Sequence, residues 1–326
     1  QLIWIVVLAA GVQAIYGSFM VLSGLEYGFF EVKTRYLGVA TGTYLNRNSM
    51  AGLMELSLAL GIGMLLAQPT RYYGSFRQRM RQLIRMLLSP KVLLRLLLAV
   101  LVIALVLTRS RMGNTAFFAS LMATGALALV LMRNKTTATT ILLGSLLVID
   151  IAIVGTFFGV DKVAERLQAT STEKESRDEV TRDTLALFQE YPVTGTGAGT
   201  FTYIFPAFKG EDIRSQAYYN NAHNDYAQFL AEFGLPATAA LGGIVLFSLW
   251  WGITAMRQRN SHFYQGVGFA STMAIVAIGI HSTVDFNLQI PANAAVFVVI
   301  LALAAVARWA PHQSSSRKSR RRRKTS

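Results

Sequence analysis

Residues 92–108 read VLLRLLLAVLVIALVLT, with Arg95 as the single charge. Apolar side chains follow one another without the alternation a half-buried or lipid-facing strand requires, so a β-barrel is excluded and a helix remains. At about 1.5 Å per residue such a run spans most of a bilayer core. Comparable runs occupy 2–24, 50–67, 115–132, 141–158, 235–255, 266–284 and 291–309. Of 326 residues, 53% are hydrophobic and only 15% charged, and the mean hydropathy is +0.41. A soluble domain carries about 25% charged residues. The sequence predicts an all-α polytopic transmembrane helix bundle with about eight visible spans.

The net charge of +14 is unevenly placed. Arg71, Arg77, Arg79, Arg81, Arg85 and Lys91 fall in one interspan segment without an acid, and Arg317–Lys324 is basic at every position except Ser319. Putting both on the cytoplasmic side also places Arg133, Lys135, Arg257 and Arg259 there and leaves no acid in a cytoplasmic loop, as the positive-inside rule asks. The basic tail reads as a topology anchor that touches anionic membrane lipids. It has no interleaved aromatic residues, which argues against nucleic acid. The absence of cysteine removes disulfides, thiol nucleophiles and thiolate metal sites, and four scattered histidines argue against a His-based metal centre. Gln1 opens inside an apolar run, so the chain reads as a fragment whose N-terminal spans are missing. The expected division is 1–158 with five spans, 159–234 as a long external loop region, 235–309 with three spans, and 310–326 as the cytoplasmic tail.

The external region turns from polar (Asp161 to Asp183) to Gly- and aromatic-rich. Residues 176–190 predict an amphipathic helix with Leu185, Leu187 and Phe188 on its apolar side, a capping box of Ser176 with Glu179, and a stop at Pro192. Gly195-Thr-Gly-Ala-Gly199 lacks the strand–turn–helix setting and glycine spacing of a dinucleotide site. It reads as a tight turn with close backbone packing.

Ionisable groups at or in a membrane are costly and point to function. Arg47 precedes the second span; Arg109 and Arg111 sit in the short hairpin Thr108–Thr115; Arg177 and Arg182 lie on the external helix. His223 and Asn224 come before the sixth span, and His281 and Asp285 end the seventh. All can approach one depth on the external side. Guanidinium forks suit a phosphate-bearing lipid, and a neutral imidazole can take a proton from a hydroxyl. Plainer readings stand beside these: Arg109 and Arg111 snorkelling to headgroups, His223 capping a helix, His281 packed and neutral, Asp285 capping a turn. Glu55 and Asp150, inside spans, are expected to pair with polar neighbours.

Four stretches in order then resemble the O-antigen ligase/O-antigen polymerase superfamily of bacterial envelope glycosyltransferases. They are Gly42-Thr-Tyr-Leu-Asn-Arg-Asn48; Leu107-Thr-Arg-Ser-Arg-Met-Gly113; Ser176-Arg177 through Tyr191-Pro192-Val-Thr-Gly-Thr-Gly197; and Ala222-His223-Asn224 with Gly234-Leu-Pro-Ala-Thr238, followed by His281-Ser-Thr-Val-Asp285. Ala237 stands where the ligase pattern has a second glycine. The resemblance implies a metal-independent, inverting enzyme without cofactor, in the bacterial inner membrane with its site facing the periplasm. Its donor would be an undecaprenyl-diphosphate-linked glycan and its acceptor lipid A core or another glycan. Arg111 and Arg177 would hold the diphosphate, with Arg47 and Arg109 as weaker candidates. His223 would either activate the acceptor hydroxyl or bind the diphosphate, Asp285 would support it, and Asn224, Arg182 and His281 would complete the site. Polymerisation of repeat units and protein O-oligosaccharide transfer share these motifs. A transporter would be expected to carry repeats and midplane charges, and a scaffold leaves the Arg/His set unexplained.

Overall fold

A computed structural model describes residues 1–28, 31–68, 90–132, 140, 144–145, 172–211, 213 and 218–311. Among the described residues nine α-helices carry the fold: α1 (Leu2–Ser23), α2 (Arg47–Leu66), α3 (Pro90–Leu107), α4 (Arg111–Leu131), α5 (Thr172–Glu190), α6 (Phe201–Ile204), α7 (Asp225–Gln258), α8 (His262–His281) and α9 (Pro291–Trp309). Tyr27–Gly28 and Glu31–Val32 pair as a two-stranded antiparallel ladder, β1 and β2. Helices α1, α2, α4, α7, α8 and α9 are each long and apolar enough to cross a membrane, and α3 contributes a shorter apolar run, Val92–Leu107. The chain is an all-α polytopic membrane protein.

The sequence supplies the helix starts. Asn46 Oδ1 accepts from the Asn48 amide (2.8 Å), Ser110 Oγ from the Gly113 amide (3.2 Å), and Asn224 Oδ1 from the Ala227 amide (3.1 Å). Each satisfies an amide that has no intrahelical partner. Pro291 opens α9, where its missing N–H costs nothing. Helix α2 is the central rod, buried almost all round against α8, α3, α1, α4 and α9. Its closest neighbour is α8: a Cβ built on Gly63 would lie 2.4 Å from the Gly266 carbonyl oxygen, so only small residues permit this approach. Helices α1, α7 and α9 keep apolar side chains such as Ile5, Val12, Leu246, Trp250 and Val298 exposed. In a membrane protein these faces meet lipid.

Several expectations shift. Helix α2 begins at Arg47 and α4 at Arg111, so both arginines are the first residues of helices and not loop residues. Helix α5 begins at Thr172, which puts Ser176 inside it and not at a capping position. Its buried residues are Val180, Asp183, Thr184 and Leu187, whereas Leu185 is exposed. The 3.6-residue period explains this, because Leu185 lies off the row 180–183/184–187. Helix α7 starts at Asp225, so 235 marks a kink within it and not its first turn. The segment 141–158 apart from Gly144 and Ser145, the basic stretch 69–89, Arg133, Lys135, Asp150, Asp161 and the tail from 312 lie outside the described residues.

Candidate active site

The beginnings of α2, α4, α7 and α9 and the end of α8 meet at one end of the bundle, around the turn Ser282–Phe286. Asp285 is the hub and is buried. Its Oδ2 accepts from Asn48 Nδ2 of α2, and its Oδ1 accepts from the Phe286 amide at 2.9 Å. The Asp225 amide donates to the carbonyls of Ser282 (3.0 Å) and Asp285 (3.2 Å), seating the start of α7 on this turn. Asp225 Oδ2 accepts from Ser282 Oγ (2.7 Å) and the Leu288 amide (3.1 Å). Asn293 Nδ2 ties α9 to the Ser49 carbonyl (2.8 Å) and to Asn287 Oδ1 (3.0 Å), and Asn293 Oδ1 accepts from the Tyr44 hydroxyl (2.9 Å). Burial pushes the Tyr44 phenol up to about 12, so it stays a neutral donor.

His223, Asn224 and Asp285 come together here. His223 is half-buried, has φ 53°, and sets its ring edge-on to Phe286 with centroids 4.9 Å apart. A non-glycine residue in this backbone region stores strain, which gathers at functional sites. Asn224 caps α7 and also donates from Nδ2 to the Thr283 carbonyl at 3.1 Å. Arg177 of α5 reaches the same turn, its Nη1 donating to the Val284 carbonyl at 3.4 Å.

Arg47 and Arg111 occupy the first positions of α2 and α4, and neither helix has an acid in its first turn. A helix start already carries partial positive charge, so a cation there is unfavourable unless an anion joins it. The two starts touch: a Cβ on Gly113 would lie 2.6 Å from Ala51 Cβ. Arg47 also stands over the Tyr36 ring at 5.7 Å from its centroid. Arg109, exposed with φ 52°, is in the turn between α3 and α4. Arg182 of α5 donates from Nε and Nη2 to Asp183 Oδ1 at 3.0 and 2.8 Å.

His281 is fully buried, with Nδ1 2.7 Å from Glu55 Oε1 of α2, which is equally buried. The expected polar partner of Glu55 is thus this histidine. Among the described residues no group of three or more His, Asp or Glu side chains is placed to hold a metal ion.

The glycine motif packs against the kink in α7. At Gly234 (φ 71°, ψ 173°) α7 kinks, and Pro236 has no amide to donate. The carbonyls this frees, Ala231 and Glu232, accept from the Thr196 (2.9 Å) and Gly197 (2.8 Å) amides, while the Leu235 amide donates to the Pro192 carbonyl at 2.8 Å. Backbones approach so closely that a Cβ on Gly195 would be 2.3 Å from the Glu232 oxygen, and one on Gly234 2.2 Å from the Val193 oxygen. Glu232 Oε1 then accepts from the Phe201 amide at 3.1 Å. The segment packs as a tight backbone turn, as read from its sequence.

Residues 96–242 match the family model described as O-antigen ligase. That stretch, somewhat under half of the chain, is similar to the O-antigen ligase family. It contains Arg109, Arg111, Arg177, His223 and the α7 kink, while Arg47, Glu55, His281 and Asp285 complete the same helix-end cluster from outside it. No curated protein matches the chain. O-antigen ligase family members are glycosyltransferase-like enzymes of O-antigen processing, and that general function is the one the match supports.

Three features of the cluster escaped sequence reasoning: the Asn48–Asp285 bond, the Asp225–Ser282 bond and the Asn287–Asn293 pair. Each joins the first turn of a helix to the connection between α8 and α9. The available signal was that positions 48, 225, 287 and 293 are polar at or near the ends of apolar runs.

Proposed function

We propose that the chain transfers a glycan from undecaprenyl diphosphate to an acceptor hydroxyl at the periplasmic face of the bacterial inner membrane, in the manner of an O-antigen ligase with lipid A core as acceptor. The observation that carries this reading is the pair of adjoining helix starts headed by Arg47 and Arg111. Two adjoining helix N-termini, each headed by an arginine, favour an anion as large and as charged as a diphosphate. Arg177, docked on the Val284 carbonyl, adds a third guanidinium at the same end, and Arg109 supplements it from the turn.

The chemistry follows from the residues. The acceptor oxygen attacks the anomeric carbon as the bond to the diphosphate oxygen breaks, and the configuration inverts. The leaving diphosphate keeps the bonding electron pair, and fixed guanidiniums match its growing charge without a metal. His223 takes the hydroxyl proton. It is half-buried and strained, and therefore reachable, whereas His281 is sealed inside the bundle. Asp285 and Asn224 hold the turn against which His223 rests. The charge pattern supports the orientation, with the basic tail in the cytoplasm and the site opposite it.

The test uses protein in liposomes with undecaprenyl-diphosphate glycan and lipid A core, comparing wild type with His223→Ala and Arg111→Ala. Transfer to the core by wild type, lost in both variants, is the expected result. Glycan–glycan elongation would replace the ligase reading with a polymerase. No product from an authentic donor, or full activity in both variants, would overturn the proposal.

A further inference from the structure

The Glu55–His281 pair has no place in the chemistry above, yet it lies beneath it. Both side chains are 0% exposed. A carboxylate and an imidazole in the middle of an apolar bundle are expensive, and well-packed apolar residues would stabilise the bundle at least as well. Nor is the pair optimised as a polar contact, since Glu55 Oε2 and His281 Nε2 are buried without hydrogen-bond partners among the described residues. Buried polar groups that are only half satisfied call for a reason other than stability.

Position supplies one. Glu55 stands where three helices meet. Its Oε1 takes the hydrogen bond with His281 Nδ1 at the end of α8, and the same oxygen would lie 3.1 Å from a Cβ on Gly113 in the first turn of α4. His281 leads directly into Ser282–Asp285, and Gly113 is two residues from Arg111. One carboxylate therefore bonds the α8 end, which leads into the Asp285 turn, and packs against the α4 start, which carries Arg111.

We propose that Glu55 and His281 are positioning residues for glycan transfer, their Nδ1···Oε1 bond fixing the Arg111 helix start relative to the Asp285 turn. The inference rests on the function proposed above. Arg111 and Asp285 belong to separate helices, and errors of about 1 Å between groups that act on one substrate lower rates on the order of 100-fold.

The geometry makes a distinctive test possible. An Asn side chain at 281 can place a donor near the Nδ1 position, whereas Gln reaches toward the Nε2 position. Purified protein in liposomes is assayed with undecaprenyl-diphosphate glycan and lipid A core, and unfolding temperatures are recorded in parallel. His281→Asn is expected to keep kcat within about threefold of wild type, and His281→Gln to lose on the order of 10–100-fold in kcat with little change in donor KM. The apolar pair Glu55→Leu/His281→Leu is expected to unfold no earlier than wild type and still to be slow, which a merely structural role would not produce. Equal rates for His281→Asn and His281→Gln, or an apolar pair as fast as wild type, would overturn positioning while leaving glycan transfer standing. A wild type that forms no product overturns both readings.

Discussion

Asn48 donates its side-chain amide to Asp285 across 237 residues of chain. The bond joins the start of α2 to the turn after α8, and both partners are buried. Neither has water to fall back on if the other is lost. Asp285→Ala is therefore expected to lower stability by about 1–3 kcal/mol by orphaning the Asn48 amide and the Phe286 N–H. Asn48→Ala should cost a similar amount, and the double variant less than the sum. Thermal unfolding of the four proteins in one detergent gives the coupling; strict additivity would sink the idea.

Arg111 offers a sharper test of the diphosphate reading. Its place at a helix start means that Arg111→Ala removes an unfavourable charge–dipole contact, so the variant is expected to unfold slightly later than wild type, by up to about 1 kcal/mol. Activity should fall on the order of 10²-fold, because a group facing developing charge is gone. Arg111→Lys should recover little of it, since an ammonium cannot grip two phosphate oxygens at once. Parallel melting curves and transfer assays decide; an alanine variant that is both less stable and fully active would mean a structural arginine.

The kink in α7 makes Gly234 irreplaceable. A side chain there meets the Val193 carbonyl and must also adopt φ 71°. Gly234→Ala is expected to cost more than about 1 kcal/mol through strain alone, with the clash adding to it. Ala237→Gly, at an exposed helical position, should cost only about 0.5–1 kcal/mol and leave the kink in place. Hydrogen exchange at the Thr196 and Gly197 amides reads the kink directly: Gly234→Ala should speed it, and Ala237→Gly should not.

A pH effect is expected in the ladder that follows α1. Burial raises the Glu26 carboxyl, but the Gly38 amide (2.6 Å) and Lys33 Nζ (2.9 Å) outweigh it and hold it below its ordinary value. A depressed carboxylate stabilises the fold above its ordinary range, and the effect is lost as pH falls through the folded-state value. Wild type should thus melt above Glu26→Gln at pH 7, and the gap should close below about pH 4. A gap of constant size from pH 7 to pH 3 would rule out the carboxylate as its source.

Much of this architecture was legible because membrane spans announce themselves by length and apolarity. The runs around 92–108 and 291–309 needed no tertiary information, and Asn46, Ser110 and Asn224 are ordinary helix-capping residues. The kink was harder to place. Gly234-Leu-Pro236 looks like a helix boundary when the chain is read alone, because its freed carbonyls have no visible partners. Those partners lie on residues 196 and 197 of a separate loop. Pairing across the bundle was not legible at all: Glu55 and His281 are 226 residues apart, and neither carries a local signal of the other. Arg182 shows the opposite limit. Its contact with the adjacent Asp183 is local, yet a helix pattern alone gives no sign of it.

The lacing of Pro192–Gly197 onto the α7 kink also sets a rule for chimaeras. The three backbone bonds there have fixed register, so the stretch from Glu190 to Gly197 tolerates neither insertion nor deletion. Among the described residues beyond that stretch, Phe201, Phe205 and Ile213 pack with Val180 and Ala222. A chimaera therefore has to take Pro192–Gly197 together with the Ala231–Leu235 kink from the same parent.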